Sequence, residues 1–390
     1  MKKLLSILLA LCLLIGAVPL QAFAAQRELD VYNWGEYLPD GTDGFKDINE
    51  IFTKETGIKL NYTTYQSNEE MYTKISGGGV SYDVVVPSDY MISKMIENDM
   101  LEKINTDNIP NYKNVSEDFK HLEYDPNDEY SVPYTGGTVG IIYNKKLIQP
   151  ETDLNTWDVL WDDTYKGQIL MFANSRDAFA CAFSKLGYSL NTTDEKEWIE
   201  AADELRKQRP LVQSYVQDQI MDKMIAGEAA LAPYYAGDAI TCMDENPDLD
   251  FIIPENSVFN RFVDAMCIMK DSPHQREAEE YINFILRPDI GAELTNYLHY
   301  TTVNKASFEL LSEEEQNNPI AYPSAEILKN AEVFVNLPPE IDELQKDLWT
   351  SIRADSTGNI WSIVFVIAGF ALLWAVIAFY NRVIKRKKFK

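Results

Sequence analysis

Histidine and cysteine are scarce in this chain: three and four among 390 residues. His121, His274 and His299 lie far from one another and from any cysteine, so no zinc-type ligand spacing exists. Cys12 falls inside an N-terminal apolar run, a poor context for lipid attachment. The other three, Cys181, Cys242 and Cys267, are too few and too widely spaced for a disulfide framework. Buried free thiols are the expectation, with one pair as the alternative. No Gly-Lys-Ser/Thr follows Gly77-Gly78-Gly79, and no Gly-x-Gly-x-x-Gly opens a helix, which excludes the common phosphate loops. Ser175, Ser184 and Ser214 lack nucleophile-elbow surroundings. Tandem repeats and low-complexity tracts are missing too.

Positive charge is the scarcest feature of the middle of the chain. Eight of the 35 Lys and Arg, and none of the 61 Asp and Glu, lie in residues 1–26 and 360–390. Residues 27–359 therefore hold 27 basic against 61 acidic side chains, a net charge of -34. Such a field repels nucleic acid and draws cations. A segment of this length is also large for one core, so two domains are expected.

The ends carry the apolar runs. Met1-Lys2-Lys3, the apolar stretch 4–20 and the small pair Ala22 and Ala24 have the order of a secretory signal, which places a signal peptide at 1–26. Residues 360–380 carry no charge and are long enough to span a bilayer. The basic tail 381–390 follows, and its charge predicts a cytoplasmic side. The expectation from these ends is a single-pass protein of the cell membrane with an extracytoplasmic middle.

Between the ends, short apolar runs alternate with helical periodicity. Strands are expected at 29–34, 58–65, 80–86, 138–144, 168–172, 229–234, 249–253, 262–269 and 301–304. Helices are expected at 43–56, 68–76, 177–186, 194–208, 219–226, 275–286, 289–297 and 340–353. This is the grammar of an α/β protein whose sheet is mostly parallel. Gly136-Gly137 reads as a turn, and boundaries are expected near 134–138 and 257–264. Two crossings would leave a hinge with a cleft beside it. Ligands in such sheets bind beyond the C-terminal strand ends.

What stands at those ends is carboxylates beside aromatics: Trp34-Gly35-Glu36-Tyr37, Ser88-Asp89-Tyr90, Asp177, Tyr234-Tyr235 before Asp238, Phe262-Val263-Asp264, and Tyr300. Ring faces stabilise ammonium groups by about 0.5–2 kcal/mol per contact and cover methylene spacers. Carboxylates accept the N–H donors of an amine as charge-assisted bonds. The combination suits an organic cation bearing several amines.

At these residues the chain resembles the polyamine-binding family of extracytoplasmic solute receptors, the spermidine/putrescine receptors of ABC importers. The resemblance spans about 29–350. Its most specific pieces are Tyr32-Asn33-Trp34-Gly35-Glu36-Tyr37, Thr64-Tyr65-Gln66-Ser67-Asn68-Glu69, Tyr82-Asp83-Val84-Val85-Val86-Pro87-Ser88 and Ile282-Asn283-Phe284-Ile285-Leu286-Arg287-Pro288. It implies a type II periplasmic-binding-protein-like fold with crossing hinge strands. Lobe 1 would hold 27–135 and 263–305, and lobe 2 would hold 136–262 and 306–354. It implies a polyamine ligand, permease subunits with a cytoplasmic ATPase as partners, a monomeric receptor, no cofactor and no covalent chemistry.

The resemblance also implies roles. Trp34, Tyr37 and Tyr300 match family rings, and Glu36 matches a carboxylate for a terminal amine. Asp264 matches the central carboxylate, and Ser88 and Tyr90 match a pair at the cleft edge. Departures accompany these matches. Asp177 stands where the family has Glu, Asn174 where it can have Asp, Tyr235 and Phe262 where it has Trp, and Phe334 where it has Gln. Asp89 and Asp238 are additional carboxylates. Two other readings stay open on the residues alone: a ferric-iron receptor of the same fold using Tyr234-Tyr235, and a carboxylate-pair glycosidase.

Overall fold

A computed structural model describes residues 27–42 and 44–354. The expected signal at 1–26, the expected span at 360–380 and the tail 381–390 lie outside the described residues. Among the described residues no helix is long and apolar enough to cross a membrane.

The strands are β1 (Glu28–Trp34), β2 (Lys59–Tyr65), β3 (Val84–Val85), β4 (Leu101–Glu102), β5 (Ser131–Asn144), β6 (Ile169–Phe172), β7 (Val212–Val216), β8 (Leu231–Tyr235), β9 (Leu249–Ile252), β10 (Phe259–Met269), β11 (Thr301–Thr302) and β12 (Ala331–Glu332). The principal helices are α1 (Ile48–Thr56), α2 (Asn68–Ser76), α3 (Asp89–Glu97), α4 (Ser175–Leu186), α5 (Glu195–Gln208), α6 (Gln219–Ile225), α7 (Ala236–Glu245), α8 (Gln275–Ile285), α9 (Pro288–Leu298) and α10 (Pro339–Ala354). The main strand order is β2-β1-β3-β10-β5-β8-β6-β7. Strand β1 runs parallel to β2 and β3 in one half, and β6 runs parallel to β7 and β8 in the other.

Strands β5 and β10 join the halves. From Ser131 to Thr138, β5 pairs antiparallel with β10; from Val139 to Tyr143 it pairs with β8 instead. The expected boundary near 134–138 is thus an exchange of partners inside one unbroken strand. The reading of Gly136-Gly137 as a turn is corrected for the same reason. A Cβ on Gly137 would lie 2.7 Å from Phe262 Cζ, and one on Gly136 would lie 2.9 Å from Phe119 Cε1. Glycine here permits close approach within a strand rather than a reversal. The register of β5 on β10 shifts between Asp264 and Ala265, where the cleft lies.

The expected helix at 43–56 starts later, at Ile48. The Asp47 carboxylate accepts from Glu50 N at 2.8 Å and caps it there, and Gly57 ends it in the left-handed region at φ 72°. The expected strand 80–86 shortens to Val84–Val85. Phe52 packs edge-on against Tyr281 in the first half; Phe179, Phe183 and Trp198 pack together in the second. Cys181, Cys242 and Cys267 are buried free thiols.

Candidate functional site

Strand ends and helix starts build one cavity of about 490 Å³ between the two halves. The loop after β1 supplies Trp34, Glu36 and Tyr37, and the start of α3 supplies Ser88, Asp89 and Tyr90. Asn174 and Asp177 come from the start of α4, Gln217 and Asp218 from the start of α6, and Tyr235 and Asp238 from the start of α7. Helix N-termini favour negative charge, so acids at four such positions are locally supported. The joining strand β10 adds Phe262 and Asp264, and Tyr300 follows α9. All ten site residues expected from the sequence line this cavity.

Nine rings and seven carboxylates line it, and no Lys, Arg or His does so among the described residues. The rings form a continuous wall. Tyr37 lies 6.4 Å from Trp34 and 5.8 Å from Tyr300, Tyr300 lies 5.7 Å from Phe262, and Phe262 lies 5.7 Å from Tyr235. Trp34 is fixed by its indole N–H, which donates to Val86 O at 2.9 Å. Tyr90 is held by Glu69, whose carboxylate accepts its hydroxyl at 2.9 Å, and by Asn68, whose amide donates to it at 3.1 Å.

Each carboxylate has its own environment. Asp264 is 3% exposed; the Tyr37 hydroxyl donates to its Oδ2, while its Oδ1 is buried without a protein partner. Burial pushes its pKa up to about 6. Asp177 is buried too, and its pKa rises to about 7 by desolvation, against the pull of the Tyr235 hydroxyl, which donates at 2.8 Å. Gln217 donates in turn to that hydroxyl at 3.1 Å, so Asp177 is positioned by a two-link relay. Desolvation likewise takes Asp238 to about 7, with the hydroxyls of Tyr300 and Tyr234 resisting and the charges of Asp218 and Glu36 assisting. Glu36 is exposed at the rim, on a left-handed backbone at φ 50° that turns the chain between Trp34 and Tyr37.

Asp89 differs from its sequence-level description as an additional ligand carboxylate. It is fully buried, and its two oxygens accept from the backbone N–H of Tyr90 at 2.7 Å and of Val263 at 3.1 Å. It ties α3 to β10 beside Asp264 and is a positioning residue. Sequence reasoning missed Asp218, Asp222, Gln217 and Tyr297, all of which line the cavity. Asp218 sits between β7 and α6, the same strand-to-helix position that marked Asp177, and that signal would have found it.

Arg176 provides an internal cation behind the wall. Its guanidinium lies 4.6 Å from the Phe334 ring and 5.9 Å from that of Tyr90, both cavity rings. Burial lowers its pKa to about 10, a value that keeps it charged at neutral pH. The close packing also makes Gly237 sensitive: a Cβ there would lie 2.3 Å from Tyr300 Cδ1 and 2.4 Å from Leu298 O. Gly237→Ala is expected to destabilise the fold by about 1–3 kcal/mol, the usual range for overpacking. An unchanged denaturant midpoint would show that Tyr300 moves aside freely.

Comparison with known proteins gives one consistent picture. Residues 48–323 match the family described as bacterial extracellular solute-binding protein. The spermidine/putrescine-binding periplasmic protein of Escherichia coli is 37% identical over 323 residues, covering 81% of this chain and 90% of that one. The putrescine-binding periplasmic protein SpuD of Pseudomonas aeruginosa is 32% identical over 372 residues, covering 91% and 99%. Among solved structures, the spermidine/putrescine ABC transporter substrate-binding protein PotD of Streptococcus pneumoniae superposes with a TM-score of 0.70 at 33% identity, covering 84% of this chain and 99% of that one. These relatives overturn the localisation expected from the ends of the sequence. Those named by compartment are periplasmic, and among the described residues no helix can cross a membrane, so the single-pass cell-membrane assignment is withdrawn.

Proposed function

Because the chain belongs to the bacterial extracellular solute-binding proteins, we propose that it is the solute receptor of an ABC importer and that its ligand is a linear polyamine, spermidine or putrescine. It is a binding protein and not an enzyme, as its relatives are. The observation that carries the ligand assignment is the cavity lining: seven carboxylates and nine rings with no base among the described residues. A polycation supplies the charge that this lining lacks, and its methylenes lie along the rings.

In this reading Asp264 holds an amine at the centre of the cavity, and Asp177 and Glu36 take amines toward its ends. Trp34, Tyr37, Tyr235, Phe262 and Tyr300 pack on the chain between them, while Ser88 and Tyr90 line the edge. Asp238 adds a fourth contact near Tyr300. The lobes of the proposal are 27–135 with 263–305, and 136–262 with 306–354. The exchange of partners along β5 supports that division. The ligand bridges the lobes and shifts the population toward closure. The closed monomer then delivers it to permease subunits driven by a cytoplasmic ATPase. Ferric iron fits less well, since the Tyr235 hydroxyl already donates to Asp177 at 2.8 Å.

Titration calorimetry tests the assignment. The expected result is one site per chain for putrescine, spermidine or both, with Kd of about 1 µM or lower, equivalent to roughly 8 kcal/mol. Absence of saturable heat at millimolar amine would reject the polyamine reading and leave the fold assignment standing.

A further inference from the structure

Helix α3 belongs to the first half: it follows β3, which pairs with β1. Tyr90, Lys94 and Glu97 stand four and three positions apart along it, so they share one face. That face meets the segment 334–342, which the second half holds. Asn191 grips this segment on both sides of Phe334: its amide donates to Val333 O at 2.8 Å, and its Oδ1 accepts from Val335 N at 3.0 Å. Helix α10 continues the segment, with Gln345 donating to Ser175 Oγ at 3.1 Å and Trp349 lying 5.7 Å from the Tyr215 ring. Three contacts then cross between the halves. The Tyr90 and Phe334 rings meet edge-on at 6.0 Å. Lys94 Nζ donates to Asp342 Oδ2 at 2.9 Å, and Asn336 Nδ2 donates to Glu97 Oε2 at 2.7 Å.

We propose that this seam between α3 and segment 334–342 is the closure contact that sets how long a bound amine is retained, with Lys94 and Glu97 as positioning residues. The proposal rests on the polyamine reading of the cavity. Tyr90 and Phe334 line the cavity, whereas Lys94, Glu97, Asn336 and Asp342 do not. The two polar bonds therefore extend the wall outward without competing for the ligand. Each side of the ion pair is also held by its own half: Lys94 Nζ lies 5.0 Å from the Tyr72 ring, and Lys346 donates to the same Asp342 oxygen at 2.9 Å. Loss of Lys94 thus leaves Asp342 paired and reports the bridge itself, not an orphaned charge. The two side chains are only 21% and 27% exposed, which shields the pair from the screening that weakens surface pairs. Because both bonds span the halves, they form only as the halves approach. Their loss therefore raises the release rate and leaves the association rate nearly unchanged.

The test loads the full-length protein with radiolabelled putrescine or spermidine and chases with unlabelled amine. Lys94→Ala with Asn336→Ala takes one partner from each bond and is expected to release the ligand about tenfold faster, the effect of a 1.4 kcal/mol loss. Glu97→Gln with Asp342→Asn keeps both shapes, removes both acids and should release it at least about threefold faster. In a Lys94→Ala background, Asp342→Ala should accelerate release less than it does alone, since the two share a bond. The same cycle on the melting temperature of the amine-free protein should show no coupling, because the open halves hold the partners apart. A bond that only stiffens the fold would couple in both. Release by the alanine variant within twofold of the unaltered chain, or equal coupling without amine, overturns the seam alone. Should that variant not fold, the conservative one decides by the same limit. Failure of the unaltered chain to retain either amine overturns the polyamine reading and the seam with it.

Discussion

Asp264→Asn is expected to weaken polyamine binding by about 30- to 1,000-fold, or roughly 2–4 kcal/mol, within the range for removing one partner of a buried charge pair. The substitution keeps the shape and still accepts the Tyr37 hydroxyl, so the loss reports charge and not packing. The same variant should be more stable than the natural chain when no amine is bound. Burial raises the Asp264 pKa to about 6 from its usual value near 4. Its stabilising contribution is therefore full below about pH 4 and is lost as pH rises through 6. At pH 7.5 the natural chain bears a buried negative charge that Asn lacks. Titration calorimetry and melting curves on the two proteins separate these effects. Affinity within threefold of the natural chain would remove Asp264 from the ligand contacts.

Acid should weaken binding more steeply than any ordinary carboxylate site would. Asp177 and Asp238 have pKa values near 7, and Asp264 has one near 6, each raised by burial. An ammonium ion favours the ionised form, so binding at neutral pH must release protons. Between pH 7.5 and 5.5 a group of pKa 7 loses about 20-fold in its ionised fraction, and two such groups predict a fall in affinity of roughly 100-fold or more. The amines stay protonated across this range, so the change belongs to the protein. The stability of the ligand-free protein has the opposite sign: the share due to these groups is full below about pH 4 and is lost as pH rises through 6 and 7. The gain in melting temperature on adding amine should accordingly grow from pH 5 to pH 8. Calorimetry in buffers of different ionisation enthalpy counts the protons. An affinity flat between pH 5.5 and 7.5, with heats independent of buffer, would show that the carboxylates are already ionised in the empty cavity.

Much of this architecture was legible in the chain itself. Apolar periodicity located α2 at its observed bounds and α4, α5 and α8 to within two residues, because a helix face is specified by neighbours three and four positions apart. The residues beyond strand ends, from Trp34 to Tyr37, Ser88 to Tyr90 and Asp177, could be named because strand-to-helix turns are local events. Phe262-Val263-Asp264 and Tyr300 also stood out on the residues alone, and the family resemblance added the role expected of each.

What only the tertiary structure decided depends on groups far apart in sequence. Asp89 looked like one more carboxylate for the ligand, yet the crossing of β10 past α3 brings Val263 N to it and makes it a structural tie. Gly136 and Gly137 looked like a turn until Phe119 and Phe262 were placed against them. Proton affinities follow the same rule, since desolvation raises the pKa values of Asp177, Asp238 and Asp264 and depends on what the whole fold packs around them. Periodicity records which face of an element is covered; only the assembled sheet determines by what.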